Sequence, residues 1–206
     1  MIVDPREAGF QNVYKLLIGA IVPRPIAFVS TVSREGVRNL APFSFFTAVS
    51  ANPPVICFCP TRRPGPDPYK DTLRNILATR EFVVNVVSEE FAEQMNISSA
   101  EFPPGVDEFE ASGLTPIPSD LVMPPRVAES HVHMECKLYL TFEIGEAPGS
   151  GSLVLGEVLR FHVDDRYFDD FKIDPDKLRA IGRMGGASYT RTTDRFDMAR
   201  PVVPKK

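Results

Sequence analysis

Small hydroxyl and amide side chains are threaded through an aromatic run in Asn39-Leu40-Ala41-Pro42-Phe43-Ser44-Phe45-Phe46-Thr47-Ala48-Val49-Ser50. A hydrophobic core has no use for Asn39, Ser44, Thr47 and Ser50, because a buried polar group costs free energy until it finds a partner. A flat ligand with polar edges supplies such partners, so this run is a candidate binding site. Ser30 and Thr31 lie at a strand end, where a ligand can reach them. Phe45 and Phe46 alternate in direction along an extended chain, so one of the two faces such a ligand. Lys70 and Thr72 open a helix, and helix starts favour anions. Asp71 between them opposes that, and its simpler role is to cap the helix. Asn75, one turn on, either holds the loop or reaches the ligand. Arg62 and Arg63 read as a solvated basic loop able to lend charge.

A second constellation points to different chemistry. His131, His133 and Glu135 alternate on one face of a strand, and His162 lies on the strand expected to pair with it. Such neighbours can ligate a metal; the plainer reading is a polar face turned to solvent or to a dimer partner. The three cysteines, Cys57, Cys59 and Cys136, form no CxxC pair. They read as small apolar residues in a reducing compartment rather than as redox or metal groups. There is no GxSxG nucleophile elbow, and no GxGxxG follows a strand.

The elements that must hold these residues are mostly strands. Pro25 to Val32 is nearly continuous in apolar side chains and suits a strand buried on both faces. Ser33-Arg34-Glu35-Gly36 is turn chemistry, and Asn39 to Ser50 follows as the second extended run. Residues 11–21 predict a short helix, and Val55 to Cys59 a buried strand. Asp71 or Thr72 is expected to cap a helix running to about Thr79. Glu81 to Val87 is a strand, Ser88 caps a helix, and a helical turn near Asp107 to Glu110 ends at Gly113. Residues 131–144 alternate strictly, predicting a long half-buried antiparallel strand. Leu153 to Val163 returns beside it, with Gly156 expected at a bulge. Asp174-Pro175 begins a short helix. The tail Gly182 to Tyr189 has too few apolar residues to pack alone, so it must lie across another part of the fold.

Composition limits the function classes. The 206 residues suit a single domain over 1–206, and the formal net charge of −4 offers no basic field for nucleic acid. No apolar run approaches the ~20 residues that span a bilayer. The N-terminus carries acids early and lacks an apolar signal core, so a cytoplasmic protein is expected. The 20 prolines cluster between the apolar runs. They mark many short strands joined by ordered loops, and they argue against a helical bundle. Five to seven antiparallel strands with a few short helices bury best as a closed or nearly closed barrel.

Four stretches carry a resemblance: Arg24-Pro25-Ile26-Ala27-Phe28-Val29-Ser30-Thr31, Asn39-Leu40-Ala41-Pro42-Phe43-Ser44-Phe45-Phe46, Lys70-Asp71-Thr72-x-x-Asn75 and Gly182-Arg183-x-Gly185-Gly186-x-x-Tyr189. In this order and spacing they resemble the flavin-reductase-like family of FMN-binding split barrels, over roughly residues 20–190. The resemblance implies a mainly β fold, a six-stranded antiparallel Greek-key split barrel with a few short helices. It also implies a homodimer, with residues 174–206 as an arm at the interface. FMN is then held by Arg24, Ser30, Thr31, Asn39, Ala41, Pro42, Ser44, Phe45, Phe46, Thr47, Lys70, Asp71, Thr72, Asn75, Arg183 and Tyr189. Lys70 and Thr72 become phosphate donors, and Ser44 and Thr47 serve the pyrimidine edge or the ribityl hydroxyls. Many members pass hydride from NADH or NADPH to a flavin, which needs no protein acid or base and no Rossmann domain. The expected function is an NAD(P)H:flavin oxidoreductase, serving an electron-acceptor protein or a monooxygenase. The alternatives are an FMN electron carrier without nicotinamide activity and a metal-dependent barrel enzyme using His131, His133 and Glu135.

Overall fold

A computed structural model describes residues 1–103 and 105–203. Two helices, α1 (Pro5–Ala8) and α2 (Phe10–Ala20), precede four strands: β1 (Ala27–Val32), β2 (Arg38–Phe43), β3 (Phe46–Ala51) and β4 (Pro54–Phe58). Helix α3 (Asp71–Thr79), strand β5 (Glu81–Val86) and helices α4 (Ala92–Ile97) and α5 (Glu108–Ser112) follow. A small pair, β6 (Pro116–Ile117) and β7 (Arg126–Val127), leads to the long hairpin of β8 (Val132–Glu143) and β9 (Ser152–Val163). The chain closes with the hairpin β10 (Phe168–Asp169) and β11 (Lys172–Ile173), helix α6 (Pro175–Leu178), and the hairpin β12 (Ile181–Arg183) and β13 (Tyr189–Arg191).

Seven antiparallel strands form one sheet in the order β2-β1-β5-β8-β9-β4-β3. The sequence places Asn39 to Ser50 in a single run, but the chain bends at Ser44 and Phe45 and gives two strands. Those two strands sit at opposite edges of the sheet. In a flat sheet the edges would lie about 29 Å apart, whereas the link between Phe43 and Phe46 reaches only about 10 Å. The sheet must therefore curl until its edges meet near Ser44, which is the split-barrel shape. This bend also accounts for the strand beyond the six that the resemblance implies.

Strand β1 is buried on both faces, as its composition predicts. Ala27 and Val29 point into the barrel with Phe43, Phe58 and Phe82. Phe28 points the other way, against Leu40, Phe91, Met95 and Phe109 beneath α4 and α5. Gly156 has a steric reason to be glycine: a Cβ there would stand 2.2 Å from Cζ of Phe82. The bulge beside it is on the partner strand, where the register slips between Leu138 and Leu140.

Two local expectations are corrected. Helix α3 is preceded by Lys70 at its N-cap with no capping side chain, because Asp71 and Thr72 are already helical and bond elsewhere. The polar face of β8 is not turned to solvent along its length. His133 is 5% exposed and Glu135 is fully buried, because backbone amides and a carbonyl of the 120–127 segment bond to them. No helix among the described residues is long and apolar enough to cross a membrane.

Candidate functional site

Strand β2 is a sheet edge, and Pro42 within it has no N–H to offer a further strand. The edge instead forms the floor of a groove. One end, a depression of about 170 Å³, is walled by Ile26, Ser44, Met95, Asn96, Arg183 and Tyr189. The other end, about 60 Å³, lies among Ala41, Arg63, Lys70, Thr72 and Ser98. Pro42 and Ser99 line both, so the two are one continuous surface. Four stretches distant in sequence thus meet: β2, the 63–72 loop with the start of α3, the end of α4, and the β12–β13 hairpin.

Arg24 holds this assembly together from below. It is 4% exposed. Its guanidinium donates to the carbonyls of Ile18 and Ile21 at 2.7 and 3.0 Å, to Met184 O at 3.0 Å and to Ser44 Oγ at 3.3 Å. Burial lowers its pKa, and the carbonyl ends of α2 accept its charge. The backbone repeats the link, since Arg24 and Arg183 exchange hydrogen bonds at 2.8 and 2.9 Å. Arg24 therefore fixes the N-terminal helix, the tail hairpin and the bend at Ser44 relative to one another. In the tail, the Arg183 guanidinium lies 4.4 Å from the centre of the Tyr189 ring, and the Tyr189 hydroxyl reaches Asn96 Oδ1 at 3.2 Å.

Beneath the opposite end is a closed polar network. Thr31 and Thr72 hydroxyls donate to Asn39 Oδ1 at 3.2 and 2.7 Å, and Asn75 donates to Thr31 Oγ1 at 3.0 Å. Asn39 Nδ2 and the amide of Leu40 donate to the two oxygens of Glu108, at 2.9 and 3.0 Å. Burial raises the Glu108 pKa, partly offset by the Leu40 amide and Asn39. Thr31, Asn39, Thr72 and Asn75 thus lock β1, β2, α3 and α5 into register.

Directly above that network the cations are less satisfied. Asp71 is paired with both Arg63, at 3.1 Å, and Arg74. Its negative charge is balanced, so it does not bar an anion from the helix start. Among the described residues Lys70 has no carboxylate within 4 Å. Its pKa is lowered, first by burial and then by neighbouring Arg63. Arg63 Nε is buried without a partner, and α3 begins with no side chain over its first amides. Free helix amides beside two cations are the donor set that an anion requires. Arg62 is not a solvated residue: it pairs with Glu143 at 3.3 Å and lies 4.9 Å from the Tyr69 ring centre.

The remaining sequence candidates lie off the groove. Ser30 is fully buried and donates to the Pro125 carbonyl. Phe46 packs against the barrel core, whereas Phe45 meets Tyr14 of α2 with ring centres 6.3 Å apart. The bend between β2 and β3 removes the simple alternation expected for the two rings. Thr47 is exposed on β3. Asn96, Ser98 and Ser99 line the groove and were not anticipated; the signal for them is a string of small polar residues closing α4.

The histidines do not gather as a metal triad of His131, His133 and Glu135. His131 turns to Glu90 at 3.0 Å and stacks on Tyr167. His133 Nε2 donates to the Val127 carbonyl at 2.8 Å, and burial pulls its pKa down to about 4. Glu135 accepts the amides of Asp120 and Leu121 at 2.8 and 2.6 Å and His162 Nε2 at 2.6 Å. Burial works to raise the Glu135 pKa, but these donors hold it below the ordinary value.

Comparison with known proteins decides the family. The description "Flavin reductase like domain" matches residues 19–178. The chain belongs to the flavin-reductase-like family. A relative from Aquifex aeolicus is 44% identical over 187 residues, covering 90% of this chain and 93% of that protein. Among solved structures, nitrilotriacetate monooxygenase component B from Bacillus cereus superposes with a TM-score of 0.91 at 36% identity, over 96% of this chain and 98% of that one. The 2-nitrobenzoate 2-nitroreductase of Pseudomonas fluorescens gives 0.89 at 31% identity, over 100% and 99%. These two structures match the chain nearly end to end, so the likeness extends beyond the four motifs.

Proposed function

We propose that this flavin-reductase-like chain binds FMN in the groove along β2 and accepts hydride from NADH or NADPH, as an NAD(P)H:flavin oxidoreductase. The observation that carries this reading is the end of the groove at Lys70: an unpaired ammonium, a buried guanidinium N–H and an uncapped helix start, all beside a flat, hydroxyl-bearing floor. Lys70, Arg63 and the first amides of α3 hold the phosphate. Thr72 and Asn39 stiffen that end from below. Ala41, Pro42 and Ser44 offer the floor to the ring, with Arg183 and Tyr189 at its far side. A bound flavin supplies the hydride acceptor, and the protein contributes placement and exclusion of water.

Neither depression, at about 60 and 170 Å³, reaches the ~300 Å³ at which pockets begin to enclose a ligand. A homodimer completes the enclosure in this reading. Tyr14, Leu16 and Leu17 on α2, Ile21 just after it and Val49 on β3 are all at least 46% exposed, and apolar side chains grouped this way favour a protein partner. The structural likeness to a monooxygenase component supports an oxygenase or another electron acceptor as the consumer of reduced flavin. A cytoplasmic setting belongs to the same reading.

The test is the absorption spectrum of the purified protein with and without added FMN, followed by anaerobic titration with each nicotinamide nucleotide. Perturbed flavin bands on mixing, then bleaching by NADH or NADPH, are expected. Binding without bleaching by either donor removes the reductase assignment and leaves an electron carrier. Absence of flavin binding removes the whole reading.

A further inference from the structure

Far from the groove, a cavity of about 540 Å³ opens between the end of β9 and the β10–β11 hairpin, lined by Phe161, Val163, Asp165, Phe168, Phe171 and Ile173. Phe161 is 56% and Phe171 92% exposed, and Phe168 and Phe171 meet edge to face. Phe171 sits at the hairpin tip with φ +58°, following Asp170 at φ +44°. A bulky side chain is disfavoured in that region. Apart from its edge contact with Phe168, the Phe171 ring stands in water. The rim is acidic: five aspartates face one arginine and one lysine between Asp164 and Asp174.

The same chain carries a segment of matching chemistry. After Thr192, whose hydroxyl is bonded to Ala180 O, and Arg195, which pairs with Asp176, the chain runs on without regular structure. Phe196, Met198, Val202 and Val203 are each more than 80% exposed. The sequence there is Arg200-Pro201-Val202-Val203-Pro204-Lys205-Lys206, with three cations and no acid; its last three residues lie outside the described structure. A Pro-x-x-Pro segment favours the extended polyproline conformation, and aromatic-lined grooves bind that conformation at low entropic cost.

We infer that this arm docks in the phenylalanine groove of a second copy of the chain, its prolines and valines on the rings and its cations over the aspartates. Among the described residues both surfaces are uncovered, and the cationic one matches the acidic one in charge. From Thr192 to Val203 it can extend about 40 Å, enough to cross to a neighbour. The inference rests on the homodimer of that reading but not on flavin binding, so a chain that binds no flavin would leave it standing.

Two measurements test it on the full chain. Val203→Cys and Asp165→Cys proteins, which keep all three phenylalanine rings of the groove, are mixed as separate single variants, allowed to exchange and oxidised, with the wild-type chain as background. A dimer-sized product joining residues 203 and 165 is expected. A double variant that gives only an intrachain link, or mixed singles that give none above background, overturns the inference. Second, Phe171→Asn keeps a residue suited to positive φ while deleting the ring. Trypsin cleavage after Arg195, at the base of the arm, should then quicken about tenfold, because cleavage tracks the population of undocked arm. An unchanged rate in a variant with native circular dichroism also overturns it.

Discussion

Two polar clusters flank the barrel, and they differ in what they leave undone. Around β8, Glu135 receives two backbone amides and His162, and His133 Nε2 donates to Val127 O; the atom left over is an acceptor, the buried His133 Nδ1. That cluster spends its donors on its own chain and pins the 120–127 segment to the sheet. At the start of α3, Asp71 is doubly paired, but among the described residues Lys70 has no carboxylate within 4 Å, Arg63 Nε has no partner and the helix has no capping side chain. Both clusters looked functional by residue type. The difference lies in the donors: β8 has spent its own, whereas the start of α3 keeps a guanidinium N–H and a row of amides of the kind an anion satisfies.

The first way to break this contrast is to remove the centre of the satisfied cluster. Glu135→Ala strands two backbone amides and His162 at once. A loss of about 3–5 kcal/mol is expected, the usual cost of removing one partner of a buried ionic cluster. Urea unfolding at fixed protein concentration measures it, and FMN affinity of the folded fraction should not move. A flavin-specific loss with unchanged stability would reverse the two roles.

His133 gives the same cluster a pH signature. Burial holds it neutral, with its pKa lowered from 6.5 to about 4. As pH falls, the unfolded chain takes up a proton first. The contribution is therefore full above about pH 6.5, declines between 6.5 and 4, and levels off below; its total is about 3 kcal/mol. His133→Gln keeps a donor for Val127 O and should flatten that part of the stability curve. Curves of equal slope for the two proteins would show that His133 is not the titrating group.

The unsatisfied cluster should respond in affinity instead. Lys70→Met removes a charge-assisted contact of about 1.5–3 kcal/mol, weakening FMN about ten- to a hundredfold. Riboflavin, which lacks the phosphate, should bind both proteins equally. Equal losses for the two ligands would move the phosphate away from α3.

These outcomes bear on what the sequence could disclose. The double burial of β1, the turn at Gly36, α5 ending at Gly113 and the β8–β9 hairpin were legible because each is local: periodicity or a left-handed glycine decides it. The bend at Ser44 was not, since it exists only because the two sheet edges must meet. Likewise Asn39, Thr31, Thr72 and Asn75 were found as a polar group, but not as partners of one another through Glu108, which lies 33 or more residues downstream of all four. Ser30 was misleading for the same reason, its acceptor being Pro125. Residue type shows that a partner is required; only the fold shows whether the chain already provides it.

The smallest effect is the sharpest probe of that distinction, because it changes sign between the two readings. Asp71 is the one acid at the start of α3, and it occupies Arg63 and Arg74. If the site awaits a phosphate, Asp71 competes for the Arg63 guanidinium. Asp71→Asn then releases charge to the ligand and should tighten FMN binding a few-fold, about 0.5–1 kcal/mol for a partly exposed pair. The gain should fade with added salt and be absent for riboflavin. If Asp71 instead holds Arg63 in its binding posture, the same substitution weakens FMN. Titrations of the variant at low and high ionic strength therefore separate a carboxylate that competes with the ligand from one that prepares its site.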